Sequence, residues 1–384
     1  MVKEIYLDNA ATTRVDERVA KKIKFALLKG YGNASSQHSL GRKARADVEK
    51  ARKEIADFIG ADSEEIFFTS GGTEANNLAL RGLARANPTK KHIITSVIEH
   101  PCILETCGDL EKEGFKIDYV NVDNEGIVDI KDFEKKITKN TLVVSIMHVN
   151  NEIGTVQPIE EIGEICLSKD VYFHVDAVQS FTKIPINVGR MNIDLMSVSG
   201  HKFRAPKGIG FLYVKKRTSI LPIIMGGGQE RGLRSGTENV PGILGLAEAI
   251  KLGNNSMGIM KVRNKLIERL LEIPGTRING SLRKRIFNNV NVSFYGIEGE
   301  SLMLMLDKEG IFVSTGSACA SSKLSESYVL KAIGVDEMYI HGSLRLTLDE
   351  KSGNDLEFIV KKIREKVERL REISPFKLNF EEAK

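Results

Sequence analysis

Between residues 40 and 215 the chain alternates short apolar runs with helical patterns, and this alternation restricts the fold more than any other feature. The runs "HIITSV", "KIDYVNV", "TLVVSIMHV", "VYFHVDA", "IDLMSVS" and "GIGFLYV" are rich in Val, Ile and aromatic side chains and are almost continuously apolar. Such runs predict strands that are dry on both faces. Helical patterns lie between several of them, one opened by Pro101 at a first-turn position and one opened near Pro158. Upstream, Ala44, Val48, Ala51, Ile55 and Phe58 or Ile59 recur at the helical period and stop at Gly60. The expected class is α/β, with a mostly parallel sheet covered by helices on both faces.

After the glycine-rich "MGGGQERGLRSG" a helix is expected from about Val240 to Leu252, and "NNSMG" reads as a joint before a long helix near 258–272. The runs "NNVNVSF" and "SLRLTL" and a final amphipathic helix ending near Glu372 read as a smaller α+β unit. The boundary is expected near residue 255, with 15–255 as the large domain and 1–14 joining 256–384 in the small one.

With 384 residues, 41% of them hydrophobic, the chain can bury a full core. It has no run of eighteen apolar residues, and its start, "MVKEIYLDNAATT", has neither an apolar signal core nor an Arg-rich amphipathic pattern. The expectation is a cytoplasmic protein with no membrane partner. The net charge of +5 is spread through mixed clusters such as "EKARKE" and "KKIREKVERLRE", the mark of solvated helix surface, and no aromatic-basic pattern points to nucleic acid. Cys102, Cys107, Cys166 and Cys319 form no CxxC pair, and no HExxH or paired Cys/His spacing points to a metal centre. Each thiol therefore needs its own account. Packing is the expected role for Cys102, Cys107 and Cys166, which sit in helical patterns.

Ligands of an open parallel sheet bind at the carboxyl ends of its strands. "FFTSGGTEANNLAL" runs from a strand through Ser70, Gly71, Gly72 and Thr73 into a helix, which aims unpaired N–H groups and about half a positive charge at one spot. That is a phosphate seat, or simply a turn with Thr73 as its cap. "VYFHVDAVQS" puts Asp176 at the end of a dry strand, where a carboxylate needs a cation, a strong donor or a turn to cap. "DLMSVSGHKF" ends in Ser199, Gly200, His201 and Lys202. A lysine there is either a snorkelling surface residue or an amine able to bond a carbonyl compound. His100 precedes the helix-starting Pro101, and Asn150 and Asn151 follow a strand, where paired asparagines also suit a turn. In sequence order, a phosphate seat, a flat ring, an amide, a buried carboxylate and a lysine are the parts that hold pyridoxal 5'-phosphate.

Taken together, "SGGTEANN", "HVNNEIGTVQPI", "HVDAVQS", "SGHK", "RSGTENV" and "GSAC" resemble, in this order, the cysteine desulfurases of the class V aminotransferase group, which mobilise sulfur for iron–sulfur clusters. The resemblance runs from "YLDNAATT" to "SLRLTL". It implies the seven-stranded fold type I of pyridoxal-phosphate enzymes and a homodimer with composite sites. By the same resemblance, Lys202 bonds the cofactor aldehyde, Asp176 faces the ring nitrogen, and His100 stacks on the ring and shuttles protons. Asn151 and Gln179 meet the ring substituents. Gly72, Thr73, Ser199 and His201 hold the phosphate, with Thr237 arriving from a second subunit. Asn33 and Arg345 match the positions that hold the carboxylate of L-cysteine. Ala205 stands where the family commonly has glycine, and Ser325 and Glu326 where "LEPS" is usual. Neither departure removes a reacting group.

Cys319 sits among the small side chains of "STGSACASS". As a thiolate it is the candidate nucleophile, expected to take the substrate sulfur and leave L-alanine and a persulfide. Few apolar contacts offset the entropy of fixing this segment in one place, which suits an arm that delivers sulfur to an iron–sulfur scaffold protein. The rival readings are a selenocysteine lyase or an aminotransferase of the same fold, and a non-catalytic subunit that only binds a scaffold.

Overall fold

Each of the six apolar runs between residues 92 and 214 forms a strand, and successive side chains enter different cores. Ile93, Val143, Leu195 and Leu212 pack into one hydrophobic cluster, while their neighbours Ile94, Val144, Met196 and Phe211 pack into another on the opposite face. Burial at a period of two on both faces requires helices above and below. The computed structural model describes residues 3–253, 255–315 and 326–375.

In chain order the elements are β1 (Ile5–Tyr6), α1 (Glu17–Lys29), α2 (Ser39–Ile59), β2 (Ile66–Thr69), α3 (Gly72–Ala86), β3 (His92–Ser96), α4 (Pro101–Lys112) and β4 (Lys116–Val120). Next come α5 (Ile130–Lys136), β5 (Thr141–Met147), α6 (Ile159–Ser168), β6 (Tyr172–Asp176), β7 (Leu195–Ser199), β8 (Gly210–Val214) and α7 (Val240–Ile250). The remainder holds α8 (Ser256–Leu271), β9 (Thr276–Ile278), β10 (Asn289–Phe294), α9 (Gly299–Asp307), β11 (Ile311–Phe312), α10 (Tyr328–Ala332), α11 (Glu337–Ile340), β12 (Ser343–Thr347) and α12 (Leu356–Ile373).

The main sheet has seven strands in the order β2-β8-β7-β6-β5-β3-β4. Only β8 runs against the others, pairing antiparallel with both β2 and β7. Helices α3 and α4 cover one face, and α2, α6 and α7 cover the other. In α2 the stripe expected from sequence is buried at Ala44, Val48, Ala51, Ile55 and Ile59, while Phe58 is 44% exposed. Each large aliphatic side chain so buried contributes about 1.5–3 kcal/mol. The helix stops at Gly60, whose φ of +72° is a left-handed value that glycine adopts without strain.

A third apolar cluster joins Ile5 and Leu7 to side chains of α8, β10, α9, β12 and α12. Here β9, β10 and β12 form a three-stranded antiparallel sheet, and β1 pairs in parallel with β11. The N-terminal segment leaves this unit and crosses to the ends of β6 and β7. Among the described residues, no helix is long and apolar enough to cross a membrane.

Candidate active site

The carboxyl ends of β6 and β7 bring the polar residues together. Asp176 closes β6 and is buried; its Oδ1 accepts from the Val178 N–H at 2.9 Å and its Oδ2 from Asn76 Nδ2 at 2.7 Å. Beyond β7 the chain turns through Gly200–Lys202, and Lys202 Nζ donates to the carbonyls of Ala10 at 2.7 Å and Ala11 at 2.9 Å. Gln179 Nε2 donates to the same Ala10 carbonyl at 2.9 Å. The amine and the amide are thus held by one short piece of the N-terminal segment.

Helix α3 begins beside Ser199. Its N-cap is Gly71, with no side-chain cap, and Thr73 is the second residue of the helix, not its cap. The first N–H groups remain available to an anion, as an uncapped N-terminus requires. The close approach is enforced by glycine. A Cβ on Gly72 would stand 2.7 Å from Val178 Cγ2, and one on Gly210 would stand 2.3 Å from the Val198 carbonyl and 2.8 Å from Gly71 Cα. His201 Nδ1 lies 3.2 Å from Thr12 Oγ1, and burial, helped by Lys202 and Lys207, lowers its pKa to about 4, so the ring is neutral at physiological pH.

His100 is the N-cap of α4, with Nδ1 accepting from the Cys102 backbone N–H at 3.2 Å and lying 3.1 Å from Cys102 Sγ. Burial lowers its pKa, with Asp176 opposing and Lys202 reinforcing the shift. Cys102 Sγ also accepts from Asn76 Nδ2 at 3.1 Å, and burial pushes its thiol up to about 12.

A second cluster faces this one. Arg345 is buried in β12, where Nη2 pairs with Asp8 at 2.8 Å and Nη1 donates to the Asn151 carbonyl at 3.1 Å. Its Nε and Asn151 Oδ1 are buried without a partner. Asn150 makes the expected turn, its Oδ1 accepting from the N–H groups of Glu152 and Ile153. Glu152 is buried and accepts from the Ser327 hydroxyl. Burial raises its pKa to about 7, against the pull of Ser327 and Arg345. Ser314 bridges to Arg345 through backbone hydrogen bonds of 2.7 and 3.2 Å.

The family model described as aminotransferase class-V matches residues 5–348. The chain belongs to the class-V aminotransferases, within the cysteine desulfurases. It is 48% identical over 380 residues to a cysteine desulfurase IscS of Methanosarcina thermophila, covering 97% of this chain and 94% of the relative. A solved NifS-like protein superposes with a TM-score of 0.90 at 40% identity, covering 96% of this chain and 100% of that one. A structure titled SspA in complex with cysteine superposes with a TM-score of 0.83 at 39% identity, covering 90% and 99%.

The cofactor of this family is pyridoxal 5'-phosphate, and the residues present fit it. An uncapped helix N-terminus and the Ser199 hydroxyl suit a phosphate, the Asp176 carboxylate a protonated ring nitrogen, the orphan Asn151 Oδ1 a ring substituent, and Lys202 an aldehyde. Glycine at 72 and 210 keeps the seat free of side chains.

Not every residue expected in a desulfurase site joins the group. Asn33 is exposed, its Oδ1 accepting from the Ser35 N–H at 2.8 Å, and Thr237 is exposed on the loop before α7. Among the described residues neither is bonded to the Lys202 or Arg345 cluster. Cys319 lies outside the described residues. Cys107 and Cys166 are buried in the apolar clusters, as packing predicts. Cys102 also packs against one of these clusters, but its sulfur is in addition bonded within the site. Asn76, Asp8 and the carbonyls of Ala10 and Ala11 were not singled out from sequence. The signal for Cys102 was Pro101: proline at the first helical position makes His100 the cap and turns its ring toward the residue after the proline.

Proposed function

We propose that this cysteine desulfurase works as a cytoplasmic homodimer that takes the sulfur of L-cysteine, releases L-alanine, and carries the sulfur as a persulfide on Cys319 to an iron–sulfur scaffold protein. The observation that carries the reading is the convergence on residues 8–11. Asp8 pairs with Arg345, and Ala10 and Ala11 hold Lys202, so a carboxylate receptor and a carbonyl-binding amine meet on one segment. That pairing suits an α-amino acid. Relatives bearing the desulfurase name and a solved relative in complex with cysteine support the choice of substrate.

Lys202 would hold the cofactor covalently, Asp176 its ring nitrogen, His100 its ring face, and Asn151 and Gln179 its substituents. Gly72, Thr73, Ser199 and His201 would hold its phosphate, joined by Thr237 of the second subunit. When bound, the cofactor is an electron sink for charge released at the substrate Cα. Arg345, with Nε unpartnered, would receive the substrate carboxylate together with Asn33. The Lys202 amine is the base at Cα. The Cys319 thiolate forms the new S–S bond as the substrate Cβ–S bond breaks; the electron pair leaves with Cβ, which takes a proton to give alanine. Cys319 is the fourth residue beyond Thr315, a reach of at most about 14 Å in extended chain, and Ser314 is tied to Arg345.

Cys319→Ser tests the division of labour. It is expected to bind cofactor with an unchanged absorbance spectrum, yet to carry no label from ³⁵S-cysteine and pass none to a scaffold protein. Stable label on the variant would overturn the assignment, and keto acid in place of alanine would favour an aminotransferase.

A further inference from the structure

The group around His100 fixes more than its position. Asp176 accepts the Val178 N–H through Oδ1, and the Asn76 amide turns its NH2 toward Oδ2, at 2.7 Å. The same Nδ2 lies 3.1 Å from Cys102 Sγ, so one of its hydrogens serves the carboxylate and the other the sulfur. Asn76 Oδ1 is left buried without a partner and so takes no proton from the thiol, and the Thr73 hydroxyl, which also bonds this sulfur, acts on it as a donor. On the other side of the sulfur, His100 Nδ1 stands 3.1 Å away and also receives the Cys102 backbone N–H at 3.2 Å. A protonated Nδ1 would set donor against donor at that N–H.

We infer that Cys102 and Asn76 are positioning residues that lock neutral His100 in the tautomer with its proton on Nε2. The chain of donors has one direction: the Asn76 NH2 donates to Asp176 and to Cys102 Sγ, the Cys102 thiol and N–H donate to His100 Nδ1, and His100 Nε2–H is left to donate outward. The thiol keeps its proton because burial holds it far from thiolate. The charged groups facing the ring are Asp176 at the end of β6 and Lys202 beyond β7, which act in opposite senses, and burial decides for the neutral ring. A neutral imidazole held this way donates through Nε2–H to a group at its edge, in the plane of its ring, and has no free lone pair with which to remove a proton. On the desulfurase reading, which this inference deepens, proton removal at Cα therefore falls to Lys202.

The test is ring-¹⁵N NMR of the histidine-labelled holoenzyme, with His100→Gln used to assign the His100 signals. The expected wild-type spectrum near neutral pH has Nε2 protonated and Nδ1 bare. Cys102→Ala removes one donor to Nδ1, so the neutral form loses stability and His100 protonation shifts by roughly tenfold, about one pH unit upward. Cys102→Ser keeps a donor of similar size and is expected to restore the wild-type midpoint. A proton on Nδ1 in the wild-type protein, or a Cys102→Ala titration that overlays the wild type, would overturn the inference. The spectrum reads the tautomer whether or not the enzyme turns over, so a failure of the desulfurase reading and a failure of the lock give different results.

Discussion

The ring end of the site draws on residues 70 to 202, each placed where a strand of the main sheet stops, whereas the carboxylate end is assembled from Asp8, Asn151, Ser314 and Arg345, which come from four distant parts of the chain. At the ring end, Asp176 and Lys202 are each held by two hydrogen bonds. At the carboxylate end the Arg345 Nε is a buried donor without a partner, whereas the buried orphans at the ring end, Asn151 Oδ1 and Asn76 Oδ1, are amide oxygens. An unpaired buried donor costs about 1–3 kcal/mol in the free protein. A group kept in that state against such a cost points to a ligand that supplies the missing bond. The charged groups of the first end are therefore held before binding, while the guanidinium of the second has a bond left for its ligand to supply.

Lys202→Ala breaks the ring end outright. Its expected effect is the largest: no absorbance band from bound cofactor, and alanine formation at background. Alanine formation at the wild-type rate would remove the assignment of the amine.

Arg345→Gln tests the other end. The variant loses the charge proposed to read the substrate carboxylate; its one link to the proposed ring contacts is the bond from Nη1 to the Asn151 backbone carbonyl, which leaves the Asn151 side chain in place, so the cofactor spectrum should be preserved. A hydrogen bond between charged groups contributes about 1.5–3 kcal/mol, which predicts a rise of roughly ten- to hundredfold in KM for cysteine and a much smaller change in kcat. Asp8 loses its partner in this variant, so thermal unfolding should be measured alongside. A KM within twofold of wild type in a folded variant would show that the carboxylate is read elsewhere.

The contrast also explains what could be read from sequence. Strand ends are local, so the apolar runs placed Asp176, Ser199, His201 and Lys202 at the sheet mouth, and the glycine pair at the start of α3 marked the proposed phosphate seat. Helix α2 and its end at Gly60 were legible for the same reason, since period and cap lie within one stretch. Asp8 was not legible, because nothing near it reveals that Arg345, 337 residues away, will pack against it. Asn76 and Cys102 were hidden differently. Cys102 lies in a helical pattern that assigns it to packing and Asn76 carries no signal of its own, and only the crossing of α3 and α4 beside Asp176 joins them in one hydrogen-bonded group.

Glu152 supplies the smallest and most selective test of the carboxylate end. Its carboxyl joins the Ser327 hydroxyl at the base of the segment that carries Cys319, and burial raises its pKa from about 4.5 to about 7. A folded-state pKa above the unfolded one means that the native state binds the extra proton. The associated stability is fully present below about pH 4.5 and is lost as pH rises to about 7. At about 1.4 kcal/mol per pH unit the loss sums to roughly 3 kcal/mol. Glu152→Gln keeps an acceptor for Ser327 but cannot ionise, so urea unfolding between pH 5 and 7 should show a slope smaller by nearly one proton than that of the wild type. Glu99, raised to about 8 by its own burial, contributes equally to both proteins and cancels in the difference. Parallel stability curves across that window would mean that Glu152 is already ionised in the folded protein, and the carboxylate end would then carry a permanent negative charge beside Arg345.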